Sequence, residues 1–198
     1  MVRVPALAGV LAVALVLLSP AASSGAAVGS RRLTVMTFNV AHGALAPGGL
    51  RRVAAVVASA RPDVVGLQEV DRSWSRSGGA DQAAELGRRL GMQSRFTATL
   101  DCGPSDLEAD GVCQYGTAVL SRFPIVTASE RRYRLPGGAG EEPRALARAT
   151  IDVRGRMVDV FNTHLSFRAP SRVRQVAVIK RLLRQDRRPF VLTGDLNA

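Results

Sequence analysis

The 198-residue sequence predicts a mixed α/β domain with helices on the outside of a pair of sheets. Three observations predict it. Short β-branched runs alternate with segments of helical period at both ends of the chain. A series of consecutive strand-like runs fills the middle. The length suffices for one domain with a real core, and no solenoid repeat interrupts it.

Residues 1–27 stand outside that domain. Arg3 is a minimal positive start, Ala6 to Leu18 is an apolar run too short to span a bilayer comfortably, and Ser24-Gly25-Ala26-Ala27 supplies small residues for cleavage. The expectation is a secretory signal peptide over 1–27, a domain over 28–198 and an extracellular location. Leu33 to Phe38 alternates and is rich in β-formers, so it reads as a strand that ends at Asn39. After Pro47-Gly48-Gly49, Leu50 to Ala60 places Val53, Val56 and Val57 at helical spacing, and Arg61-Pro62-Asp63 stops it. Val64 to Leu67 is a buried strand that delivers Gln68 and Glu69. A polar loop around Trp74 leads to a helix over Ala80 to Leu90, striped by Ala83, Ala84, Leu86 and Leu90, with Gly91 as its cap. Strands follow at Gln93 to Leu100, Tyr115 to Ser121, Ile125 to Leu135, Arg144 to Val153 and Met157 to Thr163, broken by a cysteine loop, Phe123-Pro124, Pro136 to Gly140 and Arg154-Gly155. Pro170 to Gln185 is helical, and Phe190 to Leu192 is a closing strand that ends in Gly194-Asp195.

The formal net charge is +11, and Lys180 is the sole lysine. Arginine's fork donates bidentately to phosphate, so the balance suits a nucleic-acid or anionic-lipid substrate. The same composition is also what a GC-rich coding bias produces. Cys102 and Cys113 are expected to close a disulfide across their loop, worth about 2–3 kcal/mol. Two cysteines make a poor zinc site.

Five polar residues fall at strand ends: Asn39, Glu69, His164, Asp195 and Asn197. Asp195 and Asn197 lie two apart, so on extended backbone they face the same way. Any one of the five alone reads as a turn residue or a cap; five in one domain point to a site. Carboxylates with asparagine offer the oxygen ligands that Mg²⁺ or Ca²⁺ prefers. Of the neighbours, Gln68 reads as a supporting residue facing away from Glu69 if the strand continues. Trp74 reads as packing, His42 as a loop histidine, Arg144 as a solvated arginine by default, and Tyr115 as equally a core or a site residue.

The blocks Met36-Thr-Phe-Asn39-Val, Asp63-Val-Val-Gly-Leu-Gln-Glu69-Val70, Tyr115-Gly-Thr-Ala-Val-Leu-Ser-Arg-Phe-Pro-Ile125, Glu142-Pro-Arg144-Ala, Phe161-Asn-Thr-His164-Leu165 and Thr193-Gly-Asp195-Leu-Asn197-Ala198 come in one order along the chain. In that order they resemble the endonuclease/exonuclease/phosphatase superfamily, which includes deoxyribonuclease I-like enzymes. The resemblance implies a four-layer α/β/β/α sandwich and divalent-metal phosphoester hydrolysis, nuclease-like or phospholipase-C/sphingomyelinase-like, with Mg²⁺ (or Mn²⁺/Ca²⁺) as cofactor. It makes Glu69, Asn39 and Asp195 the metal residues, and Asp195 also the one that orients the attacking water. His164, Asn197 and Arg144 become phosphate contacts, with Asp195, His164 and Asn197 the catalytic set. The implied partner is a phosphodiester substrate, nucleic acid or phospholipid head group, with a monomer and no stable protein partner expected.

The chain departs from the family pattern in two ways. Ala41 stands where some relatives have Asp, and Thr117 where many have Asn. The family pattern also continues past Gly-Asp-x-Asn to a later Asp and a final Ser-Asp-His block, which the 198 residues do not contain. The expectation is therefore a domain incomplete at its C-terminal end, with an unpaired strand edge and little or no hydrolysis. The alternative is a non-catalytic remnant that binds phosphate, nucleic acid or lipid.

Overall fold

Two sheets carry the domain, and each takes its strands from one part of the chain. The structure, a computed structural model, describes residues 13–16, 32–43, 49–102, 113–133 and 141–198. Most of the expected signal segment lies outside the described residues, as do the turns at 47–48 and 136–140 and the interior of the cysteine loop. The first sheet has the order β1-β2-β3-β5-β4, with β1 (Val13–Val16), β2 (Leu33–Asn39), β3 (Val64–Arg72), β4 (Gln93–Asp101) and β5 (Gln114–Ser121). The second has the order β6-β7-β8-β9, with β6 (Ile125–Arg132), β7 (Ala145–Val153), β8 (Arg156–His164) and β9 (Phe190–Asp195). Three helices accompany them: α1 (Gly49–Ala60), α2 (Gln82–Leu90) and α3 (Ala169–Gln185). β1 comes from the apolar run read as part of the signal segment and pairs antiparallel with β2.

Alternation along the strands sorts the side chains into layers. Met36, Val65, Leu67, Ala118 and Leu120 face outward against Val53 and Val57 of α1 and Leu86 of α2. Leu33, Val35, Val64 and Val119 face inward and meet Ile151, Val158, Val160 and Val191 of the second sheet. Leu146 and Phe161, on that sheet's far face, pack under Ile179 of α3. The expected layering, helices outside two stacked sheets, is the one observed.

Two crossovers decide where the site lies. Parallel strands need a long connection, and here α1 joins β2 to β3 and α3 joins β8 to β9. Their registers set Asn39 beside Gln68 and His164 beside Asp195, so β2, β8 and β9 end together beside β3 at one end of the seam between the sheets.

The seam is polar just below that end. Asn162 donates from Nδ2 to the Leu67 carbonyl at 2.9 Å and the Ala118 carbonyl at 3.0 Å. Its Oδ1 accepts from Gln68 Nε2 at 2.7 Å and Thr193 Oγ1 at 3.1 Å. All four bonding positions of the amide are used, and all partners but Thr193 belong to the other sheet. The sheets can approach this closely because Gly66 has no side chain: a Cβ there would lie 2.1 Å from Thr193 Oγ1.

Boundaries differ from the expected ones for local reasons. α2 begins at Gln82 because Asp81 is its cap, accepting from the Ala84 N–H at 2.9 Å. β6 ends at Arg132, short of the expected Leu135. Cys102 and Cys113 are bridged, with Cα atoms 5.3 Å apart, as expected. β9 ends its sheet with one hydrogen-bonded neighbour among the described residues, and Phe190 and Leu192 on its outer face are partly exposed.

Candidate active site

Period two along β3 would put Glu69 on the outer face with Val65 and Leu67. It does not go there, because the register of β3 against β5 shifts between Gln68 and Val70. Glu69 is the extra residue of a β-bulge, at φ 57, a left-handed conformation that costs a non-glycine residue about 1 kcal/mol or more. The bulge frees the Glu69 side chain from the strand's alternation and returns Val70 to the outer core. Gln68 therefore lies in the seam, bonded to Asn162, while Glu69 turns to Asn39. The condition attached to Gln68, that the strand simply continues, does not hold.

Asn39 is the hub. Its Nδ2 donates to Glu69 Oε1 at 2.7 Å and to Asp195 Oδ2 at 2.9 Å, joining a carboxylate of each sheet. Its Oδ1 accepts from the Ala41 N–H at 3.0 Å, which sets the direction of the amide. Asn39 thus turns its donor, not its oxygen, toward the carboxylates. Of the three residues expected at a metal, Glu69 and Asp195 offer anionic oxygens and Asn39 orients them. Asp195 Oδ1 accepts from the Asn197 N–H at 3.0 Å, and Glu69 Oε2 has no hydrogen bond among the described residues.

His164 closes the other side, with Nε2 3.8 Å from Asp195 Oδ2, too long for a hydrogen bond. Only 6% of it is exposed. Burial, and then the Arg144 guanidinium, push the imidazole down to about 4, against the opposing pull of Asp195 and Glu69. It is an uncharged donor at neutral pH, so its contact with Asp195 is not an ion pair.

Arg144 corrects the default reading of a solvated arginine. It is 5% exposed, pairs with Glu142 at 3.2 Å, and lies in a close-packed cluster with Tyr115, Thr117 and His164. A buried guanidinium beside a phosphate-type site is a fixed positive charge, not a solubilising one. Burial raises the Glu142 carboxyl above the usual range, with Arg144 opposing and Glu69 reinforcing the shift. Tyr115 is also buried, and burial together with Glu142 and Glu69 keeps its hydroxyl protonated.

Asn197 sits at φ 51, just past β9, and its Nδ2 donates to the Leu165 carbonyl at 2.8 Å. It pins the turn after Asp195 to the end of β8. Trp74 packs as expected, 8% exposed, beneath the Arg76 guanidinium at 3.8 Å. Arg76 is held there by two hydrogen bonds to the fully buried Asp71, at 2.9 and 2.7 Å. His42 lies in the turn after β2, its carbonyl accepting from Gln82.

Sequence reasoning missed Asn162, Thr193, Glu142 and Thr37, whose Oγ1 accepts from the Gly194 N–H at 3.0 Å across the two sheets. Counting back by two from His164 puts Asn162 on the same face, so a signal existed. Nothing in the sequence marks Glu142 as buried.

Among the described residues no cluster of three or more His, Cys, Asp or Glu side chains could hold a metal. Two carboxylates from different sheets are nevertheless a fit for Mg²⁺, which binds through one or two carboxylates plus substrate phosphate and keeps several waters.

A sequence profile of the Endonuclease/Exonuclease/phosphatase family matches residues 36–198. The chain is 33% identical over 134 residues to protein cwh43 of Schizosaccharomyces pombe, a match covering 67% of this chain and 12% of that protein. It is similar to the crystal structure of an endonuclease/exonuclease/phosphatase from Beutenbergia cavernae, at 31% identity and a TM-score of 0.61, over 82% of this chain and 47% of that one. A mannosyl-6-phosphatase of Bacteroides thetaiotaomicron shares the fold at 20% identity and a TM-score of 0.57, over 83% of this chain and 65% of that one. The chain thus spans about one eighth of the curated relative and about half of the Beutenbergia chain.

Proposed function

The chain belongs to the endonuclease/exonuclease/phosphatase family, and from that membership we propose that it is an exported, Mg²⁺-dependent phosphoesterase acting on phosphodiesters of nucleic acid or phospholipid head groups. The observation that carries the reading is the Asn39 amide, which brings Glu69 and Asp195 together from two sheets. Export rests on the apolar run 6–18 and the disulfide.

Glu69 and Asp195 would hold the metal, which supplies charge neutralisation at the phosphate oxygens. Asn39 keeps the two carboxylates aimed at one point. Asp195 orients water for in-line attack. His164, uncharged, donates to a phosphate oxygen, and Arg144 adds a fixed positive charge behind it.

His164 is the one imidazole in contact with the site's carboxylates among the described residues. The test is hydrolysis of bis(p-nitrophenyl) phosphate by the purified chain, with Mg²⁺ and with EDTA. Glu69→Gln and Asp195→Asn are each expected to lower turnover by about 10²-fold or more. Turnover unchanged in both variants refutes the assignment. Binding of substrate without turnover, abolished in Glu69→Gln, selects the alternative of a binding remnant.

A further inference from the structure

α3 carries a strongly basic surface. From Phe167 to Arg188 the chain has eight arginines and lysines and one carboxylate, Asp186. That carboxylate is turned inward to Arg148 at 3.2 Å, its side chain 3% exposed. Ser171, Gln175 and Ile179 form the buried stripe of the helix. The opposite stripe is Val173, Ala177, Lys180 and Arg184, spaced by four, three and four, with Arg174 and Arg181 alongside. All six are exposed. Arg174, Lys180, Arg181 and Arg184 have no hydrogen bond or ion pair among the described residues. Arginines elsewhere are commonly engaged, as Arg76, Arg89 and Arg132 are by Asp71, Glu85 and Glu130.

Apolar side chains stand among these cations. Val173 is 70% exposed, Val176 41%, and Phe167, at the corner before the helix, 67%. A face made only for a polyanion in water has no use for them. A helix with basic residues and exposed apolar residues on one face suits the boundary between head groups and acyl chains. Its cations meet anionic head groups there, and the arginine stems accompany the apolar residues inward. No helix among the described residues is long and apolar enough to cross a membrane, so the contact is with the surface.

We propose that the outer face of α3, led by Phe167, docks the protein on an anionic phospholipid bilayer. The helix begins five residues after His164, at the end of β8 that carries the candidate site. The docking does not depend on the proposed hydrolysis, since α3 presents this face with or without turnover.

The test is sedimentation of the full chain with vesicles of phosphatidylcholine, pure or mixed with phosphatidylglycerol. Binding is expected to the mixed vesicles only, and to weaken with salt. Each cation removed from the face lowers partitioning about fivefold, so the triple variant Arg174→Glu, Arg181→Glu, Arg184→Glu abolishes it. Val173→Asp, with all cations kept, also weakens it, and that loss persists at high salt. An unchanged thermal transition in both variants shows that the fold is intact. The proposal is overturned if the triple variant binds as the parent does, or if Val173→Asp has no effect. Binding of duplex DNA, lost in the triple variant, with no binding to mixed vesicles overturns it in favour of a nucleic-acid surface.

Discussion

Replacing Gly66 with alanine forces apart the two sheets that share the site. The new Cβ would lie 2.1 Å from Thr193 Oγ1, 2.7 Å from Thr193 Cβ and 2.8 Å from Asn162 Oδ1. Non-bonded atoms prefer about 3.5 Å, so the shortfall approaches or exceeds an ångström at two side chains of the opposite sheet. Neither can simply turn away. The single hydroxyl proton of Thr193 is shared between the Phe161 carbonyl at 2.9 Å and Asn162 Oδ1 at 3.1 Å, and the Asn162 amide is also bonded to Gln68, Leu67 and Ala118. Overpacking of this kind costs about 1–3 kcal/mol, and one buried polar group left unmatched costs about 1–3 kcal/mol more. The sum, about 2–6 kcal/mol, lowers the thermal midpoint of a domain this size by about 10 °C at its middle value. The displacement also acts on function, because Asn39 and Glu69 lie on one side of the seam and Asp195 and His164 on the other. The 2.9 Å Asn39–Asp195 bond is the contact that stretches. Thermal and urea unfolding followed by circular dichroism measure the first effect. Hydrolysis at a temperature where the variant is still folded measures the second. A midpoint within about 1 °C of the parent refutes the close approach of the sheets at Gly66.

His164 makes stability depend on pH. Its imidazole is pushed down to about 4 in the folded chain, against about 6.5 unfolded. The contribution is fully present above pH 6.5 and is lost as pH falls toward 4, up to about 3 kcal/mol. Urea unfolding of metal-free protein at pH 7 and pH 4.5 should show that loss, and His164→Gln should flatten it; a slope unchanged in the variant assigns it to other groups. Asp71→Ala removes the carboxylate that holds Arg76 over Trp74, at an expected cost of about 2–3 kcal/mol. Trp74 is the chain's single tryptophan, so its fluorescence should shift in the folded variant; an unchanged spectrum contradicts the stack.

The strands and helices were legible because each carries its own period and its own stops. Val64 to Leu67 is too apolar for anything but a buried strand, and the turns at Arg61-Pro62 and Gly91 are local chemistry. The ends of the elements were less so. Asp81 caps α2 one residue after the helical pattern begins at Ala80, and only the bond to Ala84 identifies it as a cap. Arg144 reads as one arginine among many, since burial is a property of what surrounds a residue.

The sequence by itself determined which polar groups follow apolar runs, Asn39, Glu69, His164, Asp195 and Asn197, but β3 runs on to Arg72, so Glu69 lies within its strand and not at its end. Tertiary structure decided how they meet. Two parallel crossovers align the strand ends, and a bulge at φ 57 turns Glu69 away from the face that alternation assigns it. The Asn39 amide then spans 156 residues of chain to reach Asp195. Register, a bulge and sheet-to-sheet distance are long-range quantities, set by packing across a seam that includes Gly66 and Asn162, and no window of sequence contains both sides of that seam.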